Sequence, residues 1–287
     1  MKKKIEVIIS ILLIIFLICY IYFIQEKIFF HPWHDNDSYN RLLTEDNVKE
    51  INIDNNGKKL HGWVKINNTN EVAPLLIMFL GNAENSSNTL TYFIDTNKFN
   101  YFNYYNVMMI DYPGYGLSEG TTSDKNMFES AEKIYDYACN LDYIDKDNIV
   151  IMGYSIGTGV ATYLSSVRDV NGLILLAPYD EALSLYNYNV NIFYGPMKLL
   201  MRYKFESKKY AKDVKVNPLI ITSYDDEVIN YKFTHNLAKY FNNVDNLITL
   251  ENVSHSGYYS NQIVLDNISN YLNKINNLEN NMLFFFY

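Results

Sequence analysis

Cysteine is almost absent from this sequence. Of 287 residues only Cys19 and Cys139 carry a thiol, one inside an apolar N-terminal run and the other far away in a helical pattern. They cannot pair, so no disulfide framework exists and the fold must stand on its own core. Basic charge is scarce too. The formal net charge is −8, and past residue 24 the chain holds 21 basic against 31 acidic residues, or −10. Such a domain has no electrostatic footprint for nucleic acid and should be weakly repelled by anionic headgroups. There is no internal repeat and no phosphate-binding glycine loop. Histidine is sparse: His31 and His34 flank Pro32-Trp33 with no third ligand nearby, so no metal site and no organic cofactor is expected. The 27 tyrosines accompany abundant Ile, Asn and Lys, a compositional bias that carries no functional weight by number alone.

Long apolar runs are missing as well, except at the start. Met1-Lys2-Lys3-Lys4 leads through Ile5 and Glu6 into an uncharged stretch from Val7 to Ile24. At 1.5 Å per residue it spans about 27 Å, close to the roughly 30 Å hydrocarbon core of a bilayer. The run ends in Tyr22-Phe23-Ile24-Gln25-Glu26-Lys27, without the small-x-small pattern of a cleaved signal, and Phe16-Leu17-Ile18 is too bulky to precede a lipid-modified Cys19. Residues 1–27 are therefore expected to be an uncleaved membrane anchor, followed by a linker over 28–47. Three lysines at the start outweigh Lys27, which predicts a cytoplasmic amino terminus and a large domain outside the cytoplasm.

Beyond the linker, apolar runs and helical patterns alternate. Ile51–Ile53 and Leu60–Ile66, joined through Asn55-Asn56-Gly57, predict an antiparallel hairpin. Strand-like runs follow at Pro74–Leu80, Val107–Tyr112, Ile149–Tyr154, Leu173–Ala177, Leu219–Thr222 and Leu247–Leu250. Helical patterns lie between them near Asn88–Thr96, Met127–Asn140, Ile156–Val167, Tyr231–Phe241 and Gln262–Ile275. Met127, Ala131, Ile134, Tyr135 and Ala138 share one face. The expected architecture is an α/β fold whose mostly parallel, doubly wound sheet begins with an antiparallel hairpin. It spans residues 48–277. Residues 179–216 break the alternation and are expected to form a small lid, and 278–287 a C-terminal tail. Within the lid, Tyr194–Phe205 intersperses Met197, Leu199, Leu200 and Met201 with Lys198, Arg202 and Lys204, which suggests a helix.

Ile149–Tyr154 runs directly into Gly153-Tyr154-Ser155-Ile156-Gly157 and then a helical pattern. A glycine two residues on either side of a serine, between strand and helix, suits a strained turn that exposes the hydroxyl at the sheet edge. The helix beginning beneath it favours developing negative charge. A serine hydroxyl needs a base, and the base a carboxylate to orient it. Asp225-Asp226-Glu227 stands just past a late strand, and His255 lies in a polar loop before the last helix, in the chain order Ser, Asp, His. His61, His235, His31 and His34 are poorer bases by position.

With these residues in view, the stretch from about Asn47 to Asn276 resembles an α/β-hydrolase of the membrane-anchored serine aminopeptidase and esterase-like branch. Phe79-Leu80-Gly81-Asn82-Ala83-Glu84-Asn85 is similar to that branch's His-Gly-Asn-Ala-Gly-Asn loop. Asp111-Tyr112-Pro113-Gly114-Tyr115-Gly116-Leu117-Ser118-Glu119-Gly120 is similar to its loop after the fourth strand. The resemblance implies backbone N–H donors to an oxyanion hole from Asn82 and Ile156, and Asp226 rather than Asp225 as the triad acid, because the family's Asp-Glu-Val-Val falls on Asp226-Glu227-Val228-Ile229. Leu80 replaces the usual histidine and Ser223 a usual glycine, while Asp111 and the glycines after it should build their loop. The expected function is hydrolysis of an ester or thioester, from a small molecule or a lipid or acylated substrate. An aminopeptidase or amidase on the same triad, and a silent surface-anchored binding protein, are the rivals.

Overall fold

The computed structural model describes residues 2–33, 36–67, 72–102 and 104–276. The tail over 278–287 and His34 lie outside the described residues. A long helix, α1 (Lys2–Phe29), comes first; by length and composition it suffices to cross a membrane, and most of its apolar side chains stand exposed, while Ile21 and Phe29 pack against the core. A short helix, α2 (Asn36–Leu42), occupies part of the stretch read as linker, held by the buried Leu42 and by Arg41 paired with Glu45 and Asp95.

The hairpin β1 (Val48–Asn55) and β2 (Lys58–Lys65) turns on Asn56 and Gly57, both at positive φ (57° and 80°), as a twisted two-residue hairpin loop requires. Then follow β3 (Ala73–Phe79), α3 (Ser86–Asp95), β4 (Asn106–Ile110), α4 (Asp124–Ala138), β5 (Ile144–Tyr154) and α5 (Ile156–Val167). The second half adds β6 (Gly172–Leu176), α6 (Ala182–Asn189), α7 (Ser207–Tyr210), β7 (Leu219–Ser223), α8 (Tyr231–Ala238), β8 (Asn246–Leu250) and α9 (Gln262–Ile275). The strands form one sheet in the order β1-β2-β4-β3-β5-β6-β7-β8. β2 joins β4 antiparallel, and every pairing from β4 through β8 is parallel. This is the α/β-hydrolase arrangement with antiparallel leading strands.

Central strands are apolar on both sides because helices cover both faces. All five residues of β4, β6 and β7 are buried, whereas β8, at the sheet's edge, is only half-buried throughout. A methyl on Gly153 would strike Ala161 of α5, and one on Gly172 would strike Tyr271 and Ile275 of α9. Gly153 pairs with Leu175, an odd number of residues from Gly172, so period-two alternation puts α5 and α9 on opposite faces. The predicted stripe of α4 is buried as a unit.

The segment between β6 and β7 is the insertion the broken alternation announced. It does not carry a helix over Tyr194–Phe205. A 3-10 turn covers Gly195–Leu200, and residues 201–206 then follow without regular secondary structure. Gly195 sits at φ 53° with Pro196 behind it, and Phe205 is also forced to positive φ, so no α-helix can run through either end.

Candidate active site

The parallel strands all end at one edge of the sheet, and the segments that leave this edge carry Asn82, Ser155, Ile156, Asp226 and His255. Ser155 follows β5 directly, with φ 53° and ψ −120°. That strained conformation is what the flanking glycines permit. A Cβ on Gly153 would fall 2.5 Å from the Gly157 carbonyl oxygen, and one on Gly157 only 2.1 Å from the Phe79 carbonyl oxygen of β3. The serine N–H donates to Leu176 O (2.9 Å), which ties the turn to the neighbouring strand.

His255 Nε2 stands 3.0 Å from Ser155 Oγ, and its Nδ1 lies 3.0 and 2.9 Å from the two Asp226 carboxylate oxygens. With the carboxylate accepting from Nδ1–H, Nε2 is left to accept the serine proton, the tautomer that the partners dictate. Asp226 is buried and fully bonded: Oδ1 also accepts from the N–H groups of Val228 (2.9 Å) and Ile229 (2.7 Å), and Oδ2 from Tyr258 O–H (3.1 Å). The two neighbouring acids turn away to other tasks. Asp225 accepts from Asn252 N–H (2.6 Å) and Glu227 from His255 N–H (2.9 Å), so one fixes the loop and the other the backbone of the histidine. His61 and His235 are engaged elsewhere. His61 is buried against Glu50, and His235 pairs with Thr249.

Asn82 and Ile156 both border the same cavity as Ser155. Ile156 is the first residue of α5, where an N–H has no acceptor within its own helix. The loop that carries Asn82 is held by two side-chain hydrogen bonds to its backbone. Glu84 Oε2 accepts from Gly81 N–H (2.6 Å), and Tyr112 O–H donates to Leu80 O (2.8 Å). The side chain of Asn82 is bonded on both sides: Nδ2 donates to Phe29 O (2.7 Å) and lies 2.9 Å from His31 Nδ1, while Oδ1 accepts from Tyr115 O–H (2.7 Å). Asp111 does not reach the cavity. It accepts from Ser86 N–H (2.6 Å) at the start of α3, and Gly116 leaves room for its carboxylate.

The cavity measures about 480 Å³ and is walled mainly by carbon. Ile28 and Phe29 from α1, Leu185, Tyr186 and Val190 from the lid, and Val228 and Ile229 after β7 surround the serine. Glu84 brings an acid into this wall. Burial among Tyr154, Tyr112 and Tyr259 pushes its carboxyl up to about 7, against the opposing pull of the Gly81 N–H and His255. Neither Glu84 nor the α1 residues were anticipated from the sequence. Glu84 sits where the related loop has glycine, a second departure in that loop beside Leu80.

This geometry belongs to the fold that carries it. A model of the α/β hydrolase fold family matches residues 74–286, and the chain belongs to that family. The alpha/beta hydrolase domain-containing protein aho-3 of Caenorhabditis elegans is 30% identical over 135 residues, 47% of this chain and 38% of that one. Alpha/beta hydrolase domain-containing protein 17C of Xenopus tropicalis is 32% identical over 136 residues, 47% of this chain and 41% of its own. The match thus spans about two fifths of these relatives' length. Among solved structures, Est1E from Butyrivibrio proteoclasticus with ferulic acid bound superposes with a TM-score of 0.64 at 18% identity, covering 78% of this chain and 98% of that one. Such a likeness establishes the fold.

Proposed function

We propose that this hydrolase is a membrane-anchored serine esterase or thioesterase that works through an acyl-enzyme. Ser155 Oγ attacks the carbonyl carbon while His255 Nε2 takes its proton. The tetrahedral oxyanion is held by the backbone N–H groups of Asn82 and Ile156, each such donor typically worth about 3 kcal/mol. His255 returns the proton to the leaving oxygen or sulfur, and a water activated by the same imidazole then releases the acid. Asp226 keeps the imidazole in register and compensates its positive charge. One observation carries the reading: the unbroken hydrogen-bonded chain from Ser155 through His255 to a fully desolvated, fully bonded Asp226.

The apolar cavity supports an acyl group as the part of the substrate that is bound, from a lipid or an acylated molecule. The anchor is α1, with the amino terminus cytoplasmic and the hydrolase domain on the other side. A second reading, cleavage of an amide that bears a free amine, rests on Glu84, whose poised carboxyl would ionise against an ammonium group inside the cavity. A serine-directed fluorophosphonate on the wild type and on Ser155→Ala, followed by a panel of esters of increasing chain length and one aminoacyl amide, separates these. Labelling lost in Ser155→Ala with a preference for longer esters is the expected result. Labelling that persists removes Ser155 from the mechanism, and a preference for the aminoacyl amide selects the second reading.

A further inference from the structure

The lid exposes apolar side chains beside the end of the anchor. Tyr188, Val190, Ile192 and Tyr194 are exposed, and Leu199 stands 86% free, one of the most exposed large apolar residues on the folded domain. A monomeric soluble surface seldom gathers such residues without a partner. The segment is fixed to α1 at a definite height. Gln25, which is buried, donates to Leu200 O (2.8 Å) and accepts from Arg202 N–H (2.9 Å). The Arg202 guanidinium lies over the rings of Tyr22 and Tyr203, and pairs with Glu26 at 3.6 Å. Tyr22 closes the apolar run of α1, so Arg202 and the Gly195–Leu200 turn stand where an aromatic residue and a basic residue meet lipid headgroups.

Charge agrees with position. One residue in nine of the chain is acidic, yet 182–205 contains no acid and three basic residues, Lys198, Arg202 and Lys204. Glu26 and Asp124, the latter accepting from Lys204 N–H, are acids that flank this face. The domain is otherwise strongly acidic, so this is the part of it that an anionic or zwitterionic surface tolerates best.

We infer that the exposed face of the lid, from Tyr188 to Leu199, is seated in the leaflet interface from which α1 emerges, and that the acyl chain of the substrate enters the cavity from that leaflet. Ile28 and Val190 are exposed and also border the cavity, so its rim lies between the anchor and this face. A lipid acyl chain then needs no passage through water to reach Ser155. The inference rests on the proposal that α1 spans the membrane, and the test keeps the two apart.

The full chain, with Cys19→Ser and Cys139→Ala, carries one new cysteine labelled with an environment-sensitive fluorophore. It is reconstituted into phosphatidylcholine vesicles with a minor fraction of phosphatidylglycerol, with or without lipids brominated near the top of the acyl chain. Leu199→Cys and Tyr194→Cys report the face, the latter standing in should the former not fold. Ile14→Cys reports the anchor. Val167→Cys, at the end of α5 that points away from the site, reports water. The inference predicts several-fold stronger quenching at 199 and 194 than at 167, together with quenching at 14. Quenching at 14 with 199 and 194 as wet as 167 overturns the docking and leaves the anchor standing. A wet position 14 overturns the anchor and the docking with it.

Discussion

Two parts of this molecule meet at the serine, and they are built by different rules. The sheet edge is fixed by local geometry: a strand, a turn that only glycine-flanked residues can make, and a helix stacked on the next strand. The wall made by α1 and the lid is fixed by contacts between residues far apart in the chain, such as Gln25 with Leu200 and Arg202, or the flat stacking of Phe29 on Phe205. In the proposed mechanism the first part carries the chemistry and the second decides what the chemistry reaches.

Substitutions at the sheet edge should therefore have the largest effects. Asp226→Asn is expected to lower kcat by about 10⁴, the scale found when a triad carboxylate is neutralised, while Asp225→Asn should stay within a few-fold. Steady-state kinetics on one ester decide this, and the opposite ranking would move the assignment by one residue. Gly157→Ala presses a methyl into the Phe79 carbonyl and should cost at least about 3 kcal/mol, or prevent folding altogether. Its counterpart in the lid, Gly195→Ala, meets open space and suffers only its positive φ, about 1 kcal/mol. Urea unfolding of the two variants side by side measures the difference between the regions. Equal losses would mean that the lid is as constrained as the elbow.

Between these extremes lies the clamp on α1. Gln25→Ala leaves the Leu200 carbonyl and the Arg202 N–H without their partner and should cost about 1–3 kcal/mol in the thermal unfolding of the full chain. The loss should appear as faster proteolysis within the lid, while the sheet edge stays protected. A smaller effect is expected at Glu84. Its carboxyl is pushed up on folding, so its contribution is most favourable below its ordinary range and worsens as pH rises through about 7. Glu84→Gln keeps an acceptor for Gly81 N–H and removes the charge. It should leave Tm nearly unchanged in acid and raise it above neutrality. An increase confined to low pH would contradict the assigned burial.

The contrast also explains how much could be read from the sequence. Asn56-Gly57 announces its turn because few residues adopt two successive positive φ angles, and four of the six later strands are nearly continuous apolar runs, as expected where helices cover both faces. That Ser155 and His255 would stand together was legible from the strand, the glycines and the chain order. Choosing among Asp225, Asp226 and Glu227 was not a matter of local pattern, since each of the three accepts a hydrogen bond and only their partners differ. The short helix α2 was hidden because its seven residues hold few apolar anchors, among them Leu42. The lid's alternation of Met, Leu, Lys and Arg imitates an amphipathic helix, and the left-handed backbone at Gly195 and Phe205 overrides it. The part that α1 plays in the cavity wall rests on contacts over more than fifty residues of chain, which no window of sequence displays.

The account turns on a covalent intermediate at Ser155. Rapid mixing of the full chain with an activated acyl ester, quenched in acid and read by intact and peptide mass spectrometry, tests this directly. The account predicts a burst of leaving group and one acyl adduct per chain, located on the peptide that contains Ser155 and absent in Ser155→Ala. Turnover without an adduct, or an adduct on another residue, would contradict it.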